Sequence, residues 1–203
     1  MTGADDQPTL IVIDAAAWVA WLADNQEQST GVWLGLAKKG TTEPTRLTYD
    51  EALEEALCHG WIDGQVRRLD ERIYRQRFTP RRPRSTWSKR NVGIVERLTG
   101  EGRMRPAGIT AVERARADGR WEQAYAGQAS IEVPPDLTRA LDAQPQAKAM
   151  WEVLTSHNRY AVLYRIDNAK RADTRARRIE QFVAMLARGE TPHPQRRGPV
   201  SDR

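Results

Sequence analysis

Two strand-length segments, residues 61–68 and 72–79, stand only three residues apart, and that spacing constrains the fold more than any other feature of the chain. Parallel strands need a crossover of roughly a dozen residues or more, so the short polar connection Leu69-Asp70-Glu71 implies an antiparallel hairpin. In the second segment Ile73, Arg75, Arg77 and Thr79 share one face, while Tyr74, Gln76 and Phe78 share the other. A largely antiparallel sheet is the natural result.

The rest of the N-terminal half supplies helices for that sheet. Residues 9–13 read as a short strand, and Asp14 is placed to cap a helix through Ala23 with Trp18, Trp21 and Leu22 at i, i+3 and i+4. Residues 31–38 form a strand with Val32, Leu34 and Leu36 on one face. Thr48 and Glu51 make a capping-box pattern ahead of Ala52, Leu53, Ala56 and Leu57, and Gly60 ends that helix. Ser88 caps a helix to about Thr99, and Pro106 with Gly119 brackets another. Beyond a linker at 127–135, four helices are expected at 137–143, 145–154, 157–169 and 174–188. The last carries an apolar stripe of Ile179, Phe182, Val183 and Leu186. The fold class is therefore α+β: an antiparallel sheet with packed helices over 9–130, an all-helical C-terminal region over 134–189 packed on that core, and a disordered tail over 190–203.

Charge is concentrated rather than spread. Between Arg67 and Arg90 ten Lys/Arg face only Asp70 and Glu71, so this segment carries +8 and the remainder of a chain of net charge +5 carries −3. Basic character favours anionic partners without choosing among phosphate ligands, nucleic acid and acidic membrane surfaces. No apolar run is long enough to span a bilayer, and the N-terminal residues carry Asp5 and Asp6 in place of a basic, then apolar, export signal. The single cysteine, Cys58, has no partner for an intramolecular disulfide, which points to the cytoplasm. One Cys and three His do not build a closed structural zinc site, so neither metal nor cofactor is expected.

Several strings occur together: CHGWIDGQ at 58–65, RFTPRRPRSTWSKRN at 77–91, GRMRPAG at 102–108, ADGRW at 117–121 and AKRADTRARRIEQFVAMLARG at 169–189. In this order they resemble the YdeI/OmpD-associated (bacteriocin-protection) family over roughly residues 15–189. The resemblance implies a cytosolic bacterial protein whose family name points to stress or bacteriocin protection. It carries no catalytic residues over to this chain.

The chemistry-bearing residues gather around the basic segment. Guanidinium forks recognise phosphate or carboxylate, Trp87 offers a stacking face, and the amides after Ser88 form an anion-friendly helix start. The expected ligand site is accordingly Asp63, Arg77, Arg81, Trp87, Ser88, Lys89 and Asn91, taking an anionic small molecule. Asp63 is either a general base or, the favoured reading, a structural partner of Arg77 or Arg81. Cys58 and His59 point about 100° apart on a helix, which favours a buried, inert Cys58 over a thiolate–imidazole pair. Arg175 and Arg178 either clamp the helical region to the sheet through acidic partners, the favoured reading, or present a second basic face. A nucleic-acid-binding module is the second functional reading and an enzyme using Asp63 as its base the third; no reaction class or oligomeric state follows from the residues.

Overall fold

The computed structural model describes residues 7–127, 131–169 and 171–195, which form two compact units, 1–124 and 125–203. The first unit holds β1 (Thr9–Leu10), α1 (Ala15–Asn25), β2 (Val32–Ala37), α2 (Tyr49–Cys58), β3 (Trp61–Arg68), β4 (Ile73–Pro80), α3 (Lys89–Gly100) and α4 (Pro106–Ala117). Its sheet has the order β1-β2-β4-β3. The β3–β4 hairpin and the β2–β4 pair are antiparallel, as the short connection demands, while the two-residue β1 runs parallel to β2. The protein is thus α+β with a mostly antiparallel sheet.

Local signals set the helix starts. The Asp14 carboxylate accepts from the Ala17 amide at 3.1 Å and its pKa is lowered, chiefly by that bond. At α2 the capping box closes in both directions: Thr48 Oγ1 accepts from the Glu51 amide at 3.4 Å and Glu51 Oε2 accepts from the Thr48 amide at 2.9 Å.

Helix α2 is packed on two sides. Ala52 and Ala56 turn toward the inner face of the sheet, where Leu34, Leu36, Trp61 and Phe78 meet Trp18 and Leu22 of α1. Leu53, Leu57 and Cys58 turn the other way, toward Val95 and Leu98 of α3, Val112 and Ala115 of α4, Trp87 and Trp121. Small residues on the sheet side let the helix lie close. Its backbone there also accepts a hydrogen bond from the Trp18 indole, Nε1 to Ala52 O at 3.1 Å, which satisfies a polar group inside the core.

The C-terminal end of α2 docks on α4 through backbone contact. The Arg105 amide donates to Cys58 O at 3.0 Å, and Gly108 lies against the same carbonyl. A Cβ on Gly108 would overlap Cys58 O and come within 2.9 Å of Leu57 O. Gly60 is held at φ +73°, where a Cβ would also stand 2.8 Å from Ala107 O. Two glycines therefore set how closely the helices approach.

The second unit contains α5 (Pro135–Asp142), α6 (Pro145–Glu152), α7 (Ser156–Asp167) and α8 (Ala172–Ala187), with its own core of Leu137, Met150, Trp151, Val162, Phe182 and Leu186 among others. Arg175 makes a two-pronged pair with Asp136, Nε to Oδ2 at 2.6 Å and Nη2 to Oδ1 at 3.0 Å. The clamp expected between the helical region and the sheet is instead internal to this unit, joining α8 to α5. Arg178 donates to the Arg165 carbonyl of α7. Residues 190–195, read from the sequence as the start of a disordered tail, are tied to buried Asn158: its Oδ1 accepts from the His193 amide at 2.9 Å and its Nδ2 donates to His193 O at 3.0 Å. That bonding also sets the His157 and His193 rings 4.5 Å apart, side chains the sequence places on separate segments. The remainder of the expected tail, 196–203, lies outside the described residues.

Two outcomes follow from the α2–α4 junction. Gly108→Ala is expected to lower stability by ~1–3 kcal/mol, the scale of overpacking a filled site, measured as a drop in urea midpoint at unchanged slope. Cys58 is 1 % exposed and burial pushes its thiol pKa up to about 11, so the native protein should react with a thiol reagent far more slowly than the unfolded chain.

Candidate functional site

A cleft of about 440 Å³ opens in the first unit. Its most organised wall is the loop after β4. The Arg81 amide donates to Gly60 O at 2.9 Å, fixing the loop to the α2–β3 turn. The Arg81 guanidinium then lies flat over Trp87, its central carbon 3.5 Å from the ring centroid, and Nη1 donates to Thr86 O at 3.1 Å. Trp87 is buried and meets Trp121 edge to face at 4.9 Å, so the surface under Arg81 is rigid. Ser85 Oγ accepts from the Arg82 amide at 3.0 Å and Ser85 O accepts from Arg120 Nη1 at 2.6 Å, while Arg120 Nε pairs with Asp118 at 2.8 Å.

The α2–α4 junction supplies the next wall. His59, 4 % exposed, lies 2.8 Å through Nδ1 from Glu55 O; a carbonyl only accepts, so Nδ1 donates and Nε2 is the ring atom left for other partners. From α4 come Pro106, Ala107, Thr110, Ala111 and Arg114, a single helical face at i, i+3/i+4 and i+7. Pro106 occupies the first turn, and among the described residues no side chain caps that helix start. The cleft is completed by Gln26 and Glu27 at the C-terminal end of α1. Gln26 Oε1 is buried and has no hydrogen-bond partner among the described residues.

The sequence-derived site residues divide among four places. Arg81 and Trp87 come together in the cleft. Arg77 does not join them: it lies on the face of β4 away from Phe78 and the core, and Nη1 donates to Gln7 Oε1 at 2.6 Å. Asp63 accepts from the Tyr49 hydroxyl at 2.9 Å, so its structural partner is a phenol and neither Arg77 nor Arg81. Arg90 closes that cluster, reaching the Tyr49 hydroxyl at 3.3 Å and Asp50 at 2.8 Å. Ser88 caps α3 by accepting from the Asn91 amide at 3.2 Å; Asn91 is buried and Lys89 exposed, and none of the three lines the cleft.

Residues missed by sequence reasoning are Gln26, His59, Thr110, Arg114 and Arg120 as cleft-lining groups. Faint signals existed, in the i, i+4 spacing of Thr110 and Arg114 and in Arg120 beside Trp121 in ADGRW. Nothing in the sequence joins these to Arg81. Among the described residues no group of three or more His, Cys, Asp or Glu is arranged to hold a metal ion.

Comparison with known families assigns the two units differently. Residues 10–111 match a family described as Domain of unknown function (DUF8412), and residues 130–189 match Bacteriocin-protection, YdeI or OmpD-Associated. The chain belongs to the DUF8412 family and carries a YdeI/OmpD-associated domain at 130–189. No match was found among curated proteins or solved structures. The likeness read over residues 15–189 is thereby narrowed. The CHGWIDGQ, RFTPRRPRSTWSKRN and GRMRPAG strings fall within the DUF8412 match, and only the last string, 169–189, falls within the YdeI/OmpD-associated one. Cleft residues from Gln26 to Ala111 belong to the DUF8412 stretch, with Arg114 and Arg120 just beyond it.

The Tyr49–Asp63 pair carries a pH signature. Burial, then the Asp63 charge, pushes the Tyr49 phenol up to about 12 from an ordinary value of 10.0. Between those values the unfolded chain gives up the proton and the folded chain keeps it, so the contribution of this group is full below pH ~10 and is lost as pH rises toward ~12. The stability gap between wild type and Tyr49→Phe should therefore narrow as urea melts are moved from pH 8 to pH ~11.

Proposed function

We propose that the first unit binds an anionic small molecule in the Arg81–Trp87 cleft, and that the protein works in the cytoplasm in the protective setting named by the description of its YdeI/OmpD-associated domain. The observation that carries the binding reading is the stack of Arg81 on buried Trp87 at the wall of a cleft that also presents Arg82, Arg114 and Arg120. A guanidinium immobilised on an indole has already lost the rotamer freedom that ligand binding would otherwise take away. The volume of about 440 Å³ falls within the ~300–1,000 Å³ usual for small-molecule sites.

The other two readings have less support. A nucleic-acid track needs basic groups along one open face, yet Arg68 is matched by Glu71, Arg90 by Asp50, and Arg77 by Gln7. Asp63 as a general base would act away from the cleft with its carboxylate already engaged by Tyr49.

The test is calorimetric titration with inorganic phosphate. Arg81→Ala should weaken binding by ~1.5–3 kcal/mol, the scale of a lost charged hydrogen bond, whereas Arg77→Ala and Arg68→Ala should change it by less than ~0.5 kcal/mol. Equal losses at all three positions, with tight oligonucleotide binding that falls steeply in salt, would replace the cleft by a nucleic-acid surface. Increased bacteriocin sensitivity of a strain lacking the protein, restored by wild type and not by Arg81→Ala, would support the protective setting.

A further inference from the structure

We propose that His157 and His193 form a two-imidazole site for a divalent transition-metal ion of the nickel, copper or zinc class, with solvent completing its coordination. The site lies within the helical unit and is independent of the cleft in the first unit.

The fold does not account for these two rings. Their centroids stand 4.5 Å apart at a tilt of 39°, yet among the described residues neither imidazole makes a hydrogen bond. His157 is exposed and His193 half-buried, and none of their nitrogens is sealed from solvent without a partner. Neutral imidazole is the commonest side-chain ligand of transition metals. An ion about 2.0–2.1 Å from one nitrogen of each ring lies roughly 3.2 Å from each ring centre, so a right-angle arrangement of the two nitrogens puts the centres roughly 4.5 Å apart. The observed spacing already matches two rings sharing one ion. Turning the rings about their Cβ–Cγ bonds aims the nitrogens and leaves the backbone in place.

The backbone under both rings is fixed before any ion arrives. His157 stands in the first turn of α7, which Thr155 caps by accepting from the Asn158 amide at 3.3 Å. His193 is held through both its amide and its carbonyl by the buried Asn158 side chain, and its carbonyl also accepts from Thr191 Oγ1 at 2.8 Å. Gln195 adds a third tie, accepting from the Thr155 amide at 3.1 Å. An ion binding here therefore orders only two side chains, which keeps the entropic cost low.

Neighbouring charge does not oppose a cation. Arg159 is turned toward α6, with Nη2 on Glu152 O at 2.8 Å and its guanidinium over Trp151, and Arg188 is paired with Glu190 at 2.9 Å. Two protein ligands fall short of a closed structural set, so the ion keeps open positions and exchanges with solvent. Its binding would join α7 to the segment after α8.

The test titrates untagged full-length protein with nickel, zinc and magnesium chlorides by calorimetry and follows thermal melting in each salt. Nickel and zinc should bind at one equivalent and raise the melting midpoint, whereas magnesium, which prefers oxygen ligands, should do neither. His157→Ala and His193→Ala should each weaken nickel binding at least ~10-fold and abolish the nickel-induced shift. The metal-free midpoint should stay near that of wild type in both, since neither ring makes a hydrogen bond that the fold depends on. His193→Phe, which keeps a ring against His157 and removes the nitrogens, serves if the alanine variant does not fold. Nickel binding that survives unchanged in either variant overturns the paired site. So does the absence of nickel and zinc binding, or magnesium bound as tightly as nickel.

Discussion

The backbone contact between Cys58 and Gly108 is the constraint on which the first unit depends. Helix α2 ends where its Cys58 carbonyl meets the Arg105 amide and the bare Cα of Gly108, and the chain turns at Gly60 into the sheet. That one junction brings His59, Gly60 and Trp61 beside Pro106, Ala107 and Thr110, and these residues line the cleft together. Interiors are packed too densely to absorb an added methyl group without displacement. The cleft is thus shaped by the same glycines that let two helices touch.

Around this junction the arginines divide by what they face. Arg97 and Arg103 are taken up by Glu54, Glu55 and Glu101, a network joining α2, α3 and the turn after it, and Arg103 is held well above its ordinary pKa by those carboxylates. Each exposed pair contributes little alone, but the network fixes α3 against α2. Arg90 is engaged by Tyr49 and Asp50. Arg82 and Arg114 have no ion pair among the described residues and stand in the cleft lining beside Arg81. Basic residues that look alike in composition therefore serve different ends, and position relative to acidic neighbours separates them.

The helical unit uses polar groups for a different purpose. Asp136 is held below the ordinary carboxylate range chiefly by Arg175, and that forked pair ties the first helix of the unit to its last. Asn158, fully buried, spends its amide on the backbone of residue 193 and the side chain of Gln195, which brings the strap after α8 back over α7. A buried amide with its hydrogen bonds made specifies one arrangement of the strap, because any other leaves the amide unsatisfied.

How much of this was legible in the sequence depended on the range of the interaction. The hairpin, the capping box at Thr48, the caps at Asp14 and Ser88, the proline-led start of α4 and the four C-terminal helices all depend on residues within a few positions of one another, and each stood where local chemistry put it. Strand alternation separated Arg77 from Phe78, yet the sequence reading still grouped Arg77 with Arg81 and Trp87, because alternation sorts side chains by face without showing what each face meets. What the sequence could not supply was the meeting of distant segments. Pairing Arg81 with Trp87 was a short-range matter, but adding Gln26, His59, Arg114 and Arg120 required α1, α2 and α4 to be placed in space. Asp63 found Tyr49, fourteen residues away, in place of an arginine because the α2–β3 turn folds the strand start back along the helix. Periodicity and capping fix elements because they are local; a site assembled from four elements is fixed only by the packing that brings them together.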